Sequence, residues 1–534
     1  MNSTLCQALV LNEWRLRSRR VSSLVILLAV VALSWLMVLD PRTGLAMMVV
    51  GRQRLAYDSQ ALAFGTTLIA ALLFSLAGFY LARGRSQQDL RCGTAAVLAA
   101  TPVTNAQLLG ARWLGAFGFL LSLGTVVMLT IWVLQLVRGE APLQPLPYLQ
   151  MLLLGLAPGL MLCASLAVLA DAWAPLMGRR GDLLYWGLWM LQFAFIPVLL
   201  GQGAVELSGW QVFDVNGVSP LLVGLSQLLD TRHVSVGGGP FDAALPVLRM
   251  PAGLWSRELV ALRLGSMMLA LLPLLPAVLL FHRHAPDRVR PHAAGRQRGA
   301  AALRWLLGPL LRPWSRALGQ LLGAGARLPG VPGRWLGDLG LLLLGQPLAA
   351  LAMLAGALAC AFAPVAALPG LLAATLCVWG VAIADIGSHD LQSGTLALAC
   401  AVPGGARERG WRKAVAALGL GLLLALPALL RHGVAAPPAC VAGLLFLSTA
   451  ATLLGRLTQG PRSFLALFLF AFYLGLQRTG VPALDLLGLA GDASVASALG
   501  YAAAAVAGLL ALLVPDMRPW SWRGGPKRRK MGEP

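Results

Sequence analysis

Long uncharged stretches alternate with short charged segments along the whole chain. A helix needs about 20 consecutive apolar residues to cross the hydrocarbon core of a bilayer. Nine stretches come close to that length, and they are residues 21–39, 61–82, 113–137, 148–170, 183–205, 264–281, 414–430, 433–455 and 493–515. We therefore predict a membrane-spanning helix over each of them.

Two further regions add three spans to these nine. Leu339 to Ala384 runs for 46 residues without a charge, which is enough for two helices hinged at Pro364 and Pro369. Residues 463–477 are uncharged over only 15 positions, so this segment is either a full crossing or a re-entrant or buried helix. The pattern predicts an all-α polytopic membrane protein with about twelve transmembrane helices.

Composition agrees with a membrane protein and excludes a soluble globule. Hydrophobic residues fill 58% of the 534 positions, charged residues fill 12%, and the mean hydropathy is +0.75, whereas soluble domains hold roughly 45–50% apolar residues even with glycine counted. The formal net charge is +21. A nucleic-acid binder would gather its basic residues on one soluble face. Here they are spread through the connections between spans, so no nucleic-acid partner is expected.

The basic residues also predict the orientation. With the N-terminus inside, twelve spans place 32 of the 42 Lys and Arg residues in cytoplasmic segments and 10 on the other side. This positive-inside bias puts both termini in the cytoplasm of a bacterial-type inner membrane. The segment before the first span holds Glu13, Trp14, Arg15 and Arg17 and is interpreted either as an interfacial helix lying along the cytoplasmic leaflet or as a solvated basic tail.

A short motif occurs twice in the predicted cytoplasmic loops, at a constant offset of 301 residues. Residues 89–102 read DLRCGTAAVLAATP, and residues 390–403 read DLQSGTLALACAVP. The Asp, the Gly-Thr pair and the Pro carry the signal, since small apolar residues coincide easily in this composition. Ten residues beyond each proline stands a cation, Arg112 or Lys413. Each copy follows the second span of a six-span half, so the halves are predicted to be parallel repeats.

The first copy of the motif predicts a loop with defined secondary structure. Gly93-Thr94 opens a short helix that Pro102 terminates, and Thr104 with Gln107 has capping-box spacing for the next helix. In a simpler interpretation, these residues only cap helices at the membrane surface. Recurrence in both halves favours a docking element for a pair of motor domains.

At these residues the sequence resembles the permease subunits of type-two ABC exporters. In that family an N-terminal elbow helix and six spans form one half, and a coupling helix in the loop between spans two and three docks on an ATP-binding subunit. The residues that match the loop are Asp89, Gly93, Thr94, Pro102 and Arg112 in the first half and Asp390, Gly394, Thr395, Pro403 and Lys413 in the second. Glu13, Arg15 and Arg17 match the elbow.

The resemblance implies a division of the chain and of the chemistry. The first permease half is 1–281, a basic linker with an amphipathic helix is 282–338, the second half is 339–515, and a basic tail is 516–534. No GxxxxGK[ST] phosphate loop occurs, so this chain is not expected to be an enzyme. The expected partners are an ABC ATP-binding subunit in two copies, which would hold ATP and Mg, membrane lipids, and in one alternative a second copy of the chain.

Two other classes of function stay open. An ion-coupled secondary exporter with twelve spans would need titratable groups inside its spans, and the predicted spans contain none, with Asp171, Asp182, Glu258 and Asp385 at their ends. A membrane scaffold would transport nothing. The six histidines have no ligand spacing, so no metal site is predicted.

Two segments outside the spans carry further expectations. In the long external connection 206–263, Pro220 to Leu229 is either a re-entrant gating helix or a surface cap, and Gly237-Gly238-Gly239-Pro240 is expected to break the chain. In the linker, residues 303–321 are expected to serve the second half as an elbow helix. Spans without ionisable groups suit the export of an amphipathic or lipid-like cargo.

Overall fold

The computed structural model describes most of the chain and divides it into two compact units, Met1–Leu303 and Arg304–Pro534. The described residues are 3–19, 21–91, 94–177, 179–200, 206–231, 234–282, 316–320, 322–392, 395, 405–431, 436–458, 460–476 and 482–513. Most of the predicted linker and all of the predicted tail therefore lie outside the described residues.

The first unit is built from long helices joined by short ones. Its helices are α1 (Ser3–Ser18), α2 (Val21–Met37), α3 (Ser59–Ala82), α4 (Arg85–Arg91), α5 (Thr94–Ala99), α6 (Asn105–Arg138), α7 (Pro145–Gln150), α8 (Ala157–Ala172), α9 (Arg179–Leu200), α10 (Val218–Leu229), α11 (Arg257–Leu271) and α12 (Leu274–Leu280). A π-helical turn, Met151–Leu156, joins α7 to α8.

The second unit follows a similar order. Its helices are α13 (Gly330–Gly345), α14 (Pro347–Phe362), α15 (Leu368–Ile383), α16 (His389–Gln392), α17 (Gly405–Leu430), α18 (Pro437–Thr458), α19 (Arg462–Leu476) and α20 (Val495–Leu513).

Helices long and apolar enough to cross a membrane dominate both units. Eight pass on length and composition among the described residues, and the number rises to ten if each of two bent pairs is one span. The described part of the chain is therefore largely helical and of the membrane-embedded type, as predicted. The helices at the places of predicted spans five and eleven, α9 with 22 residues and α19 with 15, are not among those ten.

Each unit contains one bent helix pair among its described residues. The axes turn by 72° between Gln7–Ser18 and Ser23–Met37, and by 105° between Pro332–Gly345 and Pro347–Phe362. The second bend lies at Gln346, whose backbone leaves the helical region (φ −144°, ψ 65°) because a following proline disfavours it. The sequence did not predict this bend.

The predicted hinge between the next two helices is partly different in the structure. Helix α14 ends at Phe362, just before Pro364, as expected. Pro369 lies in the first turn of α15, where a missing backbone N–H costs nothing, so it starts the helix and does not hinge it.

One small sheet interrupts the predicted all-α fold. Strand β1 (Leu45–Val50) pairs antiparallel with β2 (Gln53–Arg54) and with β3 (Val234–Pro240). The glycine run expected to break the chain is part of β3. Gly237 and Gly238 have φ of +107° and +125° and lie where the register shifts between Ala46 and Met48. Glycine alone adopts such angles freely, so the run allows a bulge within the strand.

Candidate functional site

Asp89 is the centre of a buried charged cluster where α4 meets α6. Its side chain is 4% exposed and forms an ion pair with the Arg112 guanidinium. Arg85, one turn earlier on α4, places Nη1 3.0 Å from Asp89 Oδ1. Arg112 Nη1 also donates to Ser86 Oγ at 3.0 Å. One carboxylate thus joins the short loop helix to the start of the long helix α6.

Thr94 fixes the start of α5 against the same aspartate. Its hydroxyl donates to the Asp89 carbonyl at 3.3 Å and to Asp89 Oδ1 at 3.2 Å. The helix ends at Ala99, before a bend at Pro102, as predicted. Gly93 lies outside the described residues. Val97 on α5 is 68% exposed, so this short helix presents an apolar side chain outward.

The predicted capping box begins α6. Gln107 N donates to Thr104 Oγ1 at 3.3 Å, and Thr104 N donates to Gln107 Oε1 at 3.0 Å. The two reciprocal bonds satisfy donors that a helix leaves free at its start. The loop between α3 and α6 therefore has a defined structure at both ends.

Helix α1 is bound to this loop by an ion pair and a hydrogen bond. Glu13 is buried, and its carboxylate accepts two bonds from Arg85 Nε, at 2.9 and 3.0 Å. Arg17 is also buried and donates to the Ala82 carbonyl at the end of α3. The elbow residues Trp14 and Arg15 are exposed instead. The helix thus turns Glu13 and Arg17 toward the protein and leaves Trp14 and Arg15 partly exposed.

A glycine makes this close packing possible. A methyl group added at Gly115 of α6 would lie 2.6 Å from Glu13 Cβ and 3.3 Å from the backbone nitrogen of Trp14. Any larger residue would push α1 away from α6. The bond from Glu13 to Arg85 consequently depends on a residue far from both in sequence.

A second set of contacts holds the end of α3. Its two carboxylates, Asp171 and Asp182, were predicted only to lie at the ends of spans. Asp171 Oδ2 accepts bonds from the backbone nitrogens of Gly84 and Arg85, both at 2.7 Å. Arg83 is almost fully buried and pairs with Asp182. Arg83 and both carboxylates lie at span ends on the same predicted side of the membrane. This shared side was the only hint in the sequence that they could meet, because their spacing along the chain does not show which residues pair.

The second copy of the motif forms the corresponding pair. Lys413 Nζ lies 2.7 Å from Asp390 Oδ2, and Arg409 Nη2 lies 3.3 Å from Asp390 Oδ1. Thr395 N donates to the Asp390 carbonyl at 2.9 Å. The Asp390 side chain is 16% exposed, so this cluster is more open to solvent than the first. Gly394 and Pro403 lie outside the described residues.

Helix α13 precedes the first long helix of the second unit, the position expected of an elbow helix, and is bound to α17 by two ion pairs. Asp338 pairs with Arg412, and Arg334 pairs with Glu408 on α17. The stretch 303–321, which was expected to fill this role, lies mostly outside the described residues. Helix α13 begins inside the segment predicted to be linker.

The two units share the geometry of this region. Asp89 and Arg112 are 23 residues apart, and so are Asp390 and Lys413. A methyl group added at Gly118 would lie 3.8 Å from Trp14 Cδ1, and one added at Gly419 would lie 2.7 Å from Trp335 Cζ2. These glycines are separated by 301 residues, the offset of the motif.

Neither similarity to known proteins nor a cluster of metal-binding side chains identifies an activity. No family model, curated protein or solved structure matches the chain. Within the described ranges, no group of three or more His, Cys, Asp or Glu side chains is placed to hold a metal ion.

Proposed function

We propose that the chain is the membrane-spanning permease subunit of an ATP-driven ABC exporter, built from two parallel six-span halves. The observation that carries the proposal is the repeated Asp–cation pair. In each unit the loop after the second long helix holds an aspartate bound to a cation 23 residues later. In each unit the helix that precedes the first long helix is bound to the same region by further ion pairs.

The order of helices supports twelve spans. In the first unit the six spans are α2, α3, α6, α7–α8, α9 and α11–α12, and in the second they are α14, α15, α17, α18, α19 and α20. Helices α9 and α19 occupy the fifth place in their units. The excess of Lys and Arg in the loops on one side supports a placement of both termini in the cytoplasm of a bacterial-type inner membrane.

The loop geometry suits the transmission of force. The exposed face of α5, with Thr94 and Val97, is the surface offered to an ATP-binding subunit. Behind it, Asp89 binds α4 and α6 together, and Glu13 extends the cluster to the elbow helix. A push on α5 would therefore move α1, α3 and α6 together. ATP and Mg would be held by the partner subunit, which supplies the hydrolysis.

Ion coupling is less well supported. The predicted spans held no ionisable residue, but α11 begins seven residues before the predicted span and brings Arg263 into it. An arginine stays protonated in proteins and cannot cycle a proton. The carboxylates Asp171 and Asp182 lie at helix ends and are bonded to backbone nitrogens or to Arg83.

The cargo proposed for the pathway is amphipathic or lipid-like. A strongly charged solute would need charged partners between the spans, since charge is costly in hydrocarbon. Stimulation of the reconstituted complex by small hydrophilic ions alone would overturn this part of the proposal and leave the permease assignment intact.

The first test is whether an adjacent reading frame encodes a soluble P-loop ATPase, and the second reconstitutes the chain with that ATPase. Val97→Arg should abolish co-purification of the ATPase and ATP-dependent transport. Val247→Arg is the matched control, because Val247 is also exposed but lies in the long connection between α10 and α11. Robust ATP hydrolysis by the purified chain alone, or equal loss in both variants, would contradict the proposal.

A further inference from the structure

A fully buried arginine ties three segments of the first unit together. Arg263 of α11 donates from Nε to the Leu154 carbonyl at 2.8 Å and from Nη2 to the Gly155 carbonyl at 2.9 Å. It also donates to the carbonyls of Asp214 and Val215, at 3.2 and 3.1 Å. Every one of these acceptors is a backbone carbonyl.

Pro158 creates one of these acceptors. In an α-helix the Leu154 carbonyl would accept a bond from the N–H of residue 158, but proline has none, and its ring crowds that carbonyl. The chain passes this point in the π-helical turn Met151–Leu156. Freed carbonyls at membrane depth need another donor, and the Arg263 guanidinium supplies it. Buried ionisable residues and π-turns both tend to occur at functional positions.

The other two acceptors belong to the turn that begins α10. The Asp214 carboxylate accepts bonds from Ser219 N at 2.6 Å and from Gly217 N at 3.1 Å, which caps this helix. Gly217 has φ +82°, and a methyl group added there would lie 2.6 Å from Arg263 Cζ. The Arg263 guanidinium is thus in close contact with the turn that begins α10.

Helix α10 reaches the π-turn through one residue, beside α3, which packs on the same turn. Leu221 is fully buried, and its Cδ1 lies 3.9 Å from the position of a methyl group added at Gly155. Arg263 and Leu221 therefore contact the same turn from two sides. Release of the guanidinium would free the Asp214–Val215 turn and with it the packing of Leu221 against the π-turn.

We propose that Arg263 is a positioning residue that latches α10 closed over the π-turn between α7 and α8, and that this latch opens when cargo leaves. This latch rests on the proposed function, whose orientation puts α10 at the outer side of the membrane. The π-turn stays ready to rebind, because Pro158 leaves the Leu154 carbonyl without its α-helical donor whether the latch is open or closed.

The test measures access to Leu221→Cys by a membrane-impermeant maleimide, read on that peptide by mass spectrometry so that native cysteines do not contribute. Arg263→Gln should raise the labelling rate at least tenfold. Arg263→Lys should lie between, since an ammonium lacks the planar fork that reaches several carbonyls. Arg257→Gln is the matched control on the same helix, where the arginine is exposed, and should change nothing.

A purely structural role is separated by turnover. In the complex with its ATPase, labelling at Leu221→Cys should rise on addition of ATP and cargo in the parent chain and stay constantly high with Arg263→Gln. If Arg263→Gln fails to fold, Gly217→Ala replaces it, because the added methyl group displaces the guanidinium.

Unchanged labelling in Arg263→Gln, or equal labelling in Arg263→Gln and Arg263→Lys, would overturn the latch. If that occurs while Val97→Arg still abolishes coupling, the permease proposal stands alone. If Arg263→Gln raises labelling while no ATPase binds the parent chain, the closed cover is supported and the proposed function is not.

Discussion

Replacing Asp89 by Asn tests whether the buried cluster holds the loop together. The substitution keeps the size of the side chain and removes its charge. Arg85 and Arg112 would then be buried beside a neutral amide, while the bond from Thr94 to the Asp89 carbonyl would persist. We expect the loop between α3 and α6 to open locally far more often than in the parent chain.

The magnitude follows from burial. Removing one partner of a buried ion pair costs about 3–5 kcal/mol, since the other charge is left without compensation. Asparagine still accepts one hydrogen bond, so we take about 3 kcal/mol. Because each 1.4 kcal/mol corresponds to a factor of ten, local opening should become roughly 100-fold more frequent.

Hydrogen–deuterium exchange of residues 83–91, measured by mass spectrometry in detergent micelles, reports this opening. The amides of Gly84 and Arg85 are bonded to Asp171 in the closed loop and exchange only when it opens. We expect their exchange in Asp89→Asn to be roughly 100-fold faster, with α10 and α11 unchanged.

Two control variants distinguish the effect of removing a buried charge from the effect of removing an exposed one. Asp242 pairs at 3.4 Å with Arg52, whose side chain is 81% exposed, and such surface pairs contribute about 0–1 kcal/mol. Asp242→Asn should therefore alter exchange in its own segment by less than about fivefold. Asp390→Asn should give an intermediate effect, since that pair is partly exposed. Exchange in Asp89→Asn within threefold of the parent, or an equally large effect of Asp242→Asn, would refute the reasoning.

Three further outcomes follow from the same geometry. Gly115→Leu should separate α1 from α6 at a cost of about 1–3 kcal/mol from overpacking, seen as faster tryptic cleavage at Arg15, while Gly110→Leu, at an open position, should not. Thr104→Ala should cost about 1 kcal/mol, measured by exchange in the first turn of α6, with Thr104→Ser restoring most of it. Collapse of the proton gradient at constant ATP should leave transport by the reconstituted complex unchanged, and loss of transport would favour ion coupling.

The sequence by itself determined the parts of the fold that depend on neighbours along the chain. Helix α3 covers the uncharged stretch 61–82 within two residues at its start and exactly matches its end, because an apolar run of that length has one stable state in a bilayer. The capping box of Thr104 and Gln107 was also predictable, because both of its hydrogen bonds form within four residues of the chain. The motif at Asp89 and its copy at Asp390 could be found by spacing alone.

Tertiary structure decided the contacts between distant segments. The bond from Glu13 to Arg85 joins residues 72 positions apart, and that from Arg263 to Leu154 joins residues 109 apart. Neither leaves a periodic signal, because the partner of a charge is chosen by which helices pack together. The glycine run in β3 was misinterpreted for a similar reason, since its conformation is set by pairing with β1. Local sequence determined the ends of α3 and the start of α6, whereas the partner of a buried charge was decided only by the packing of the whole unit.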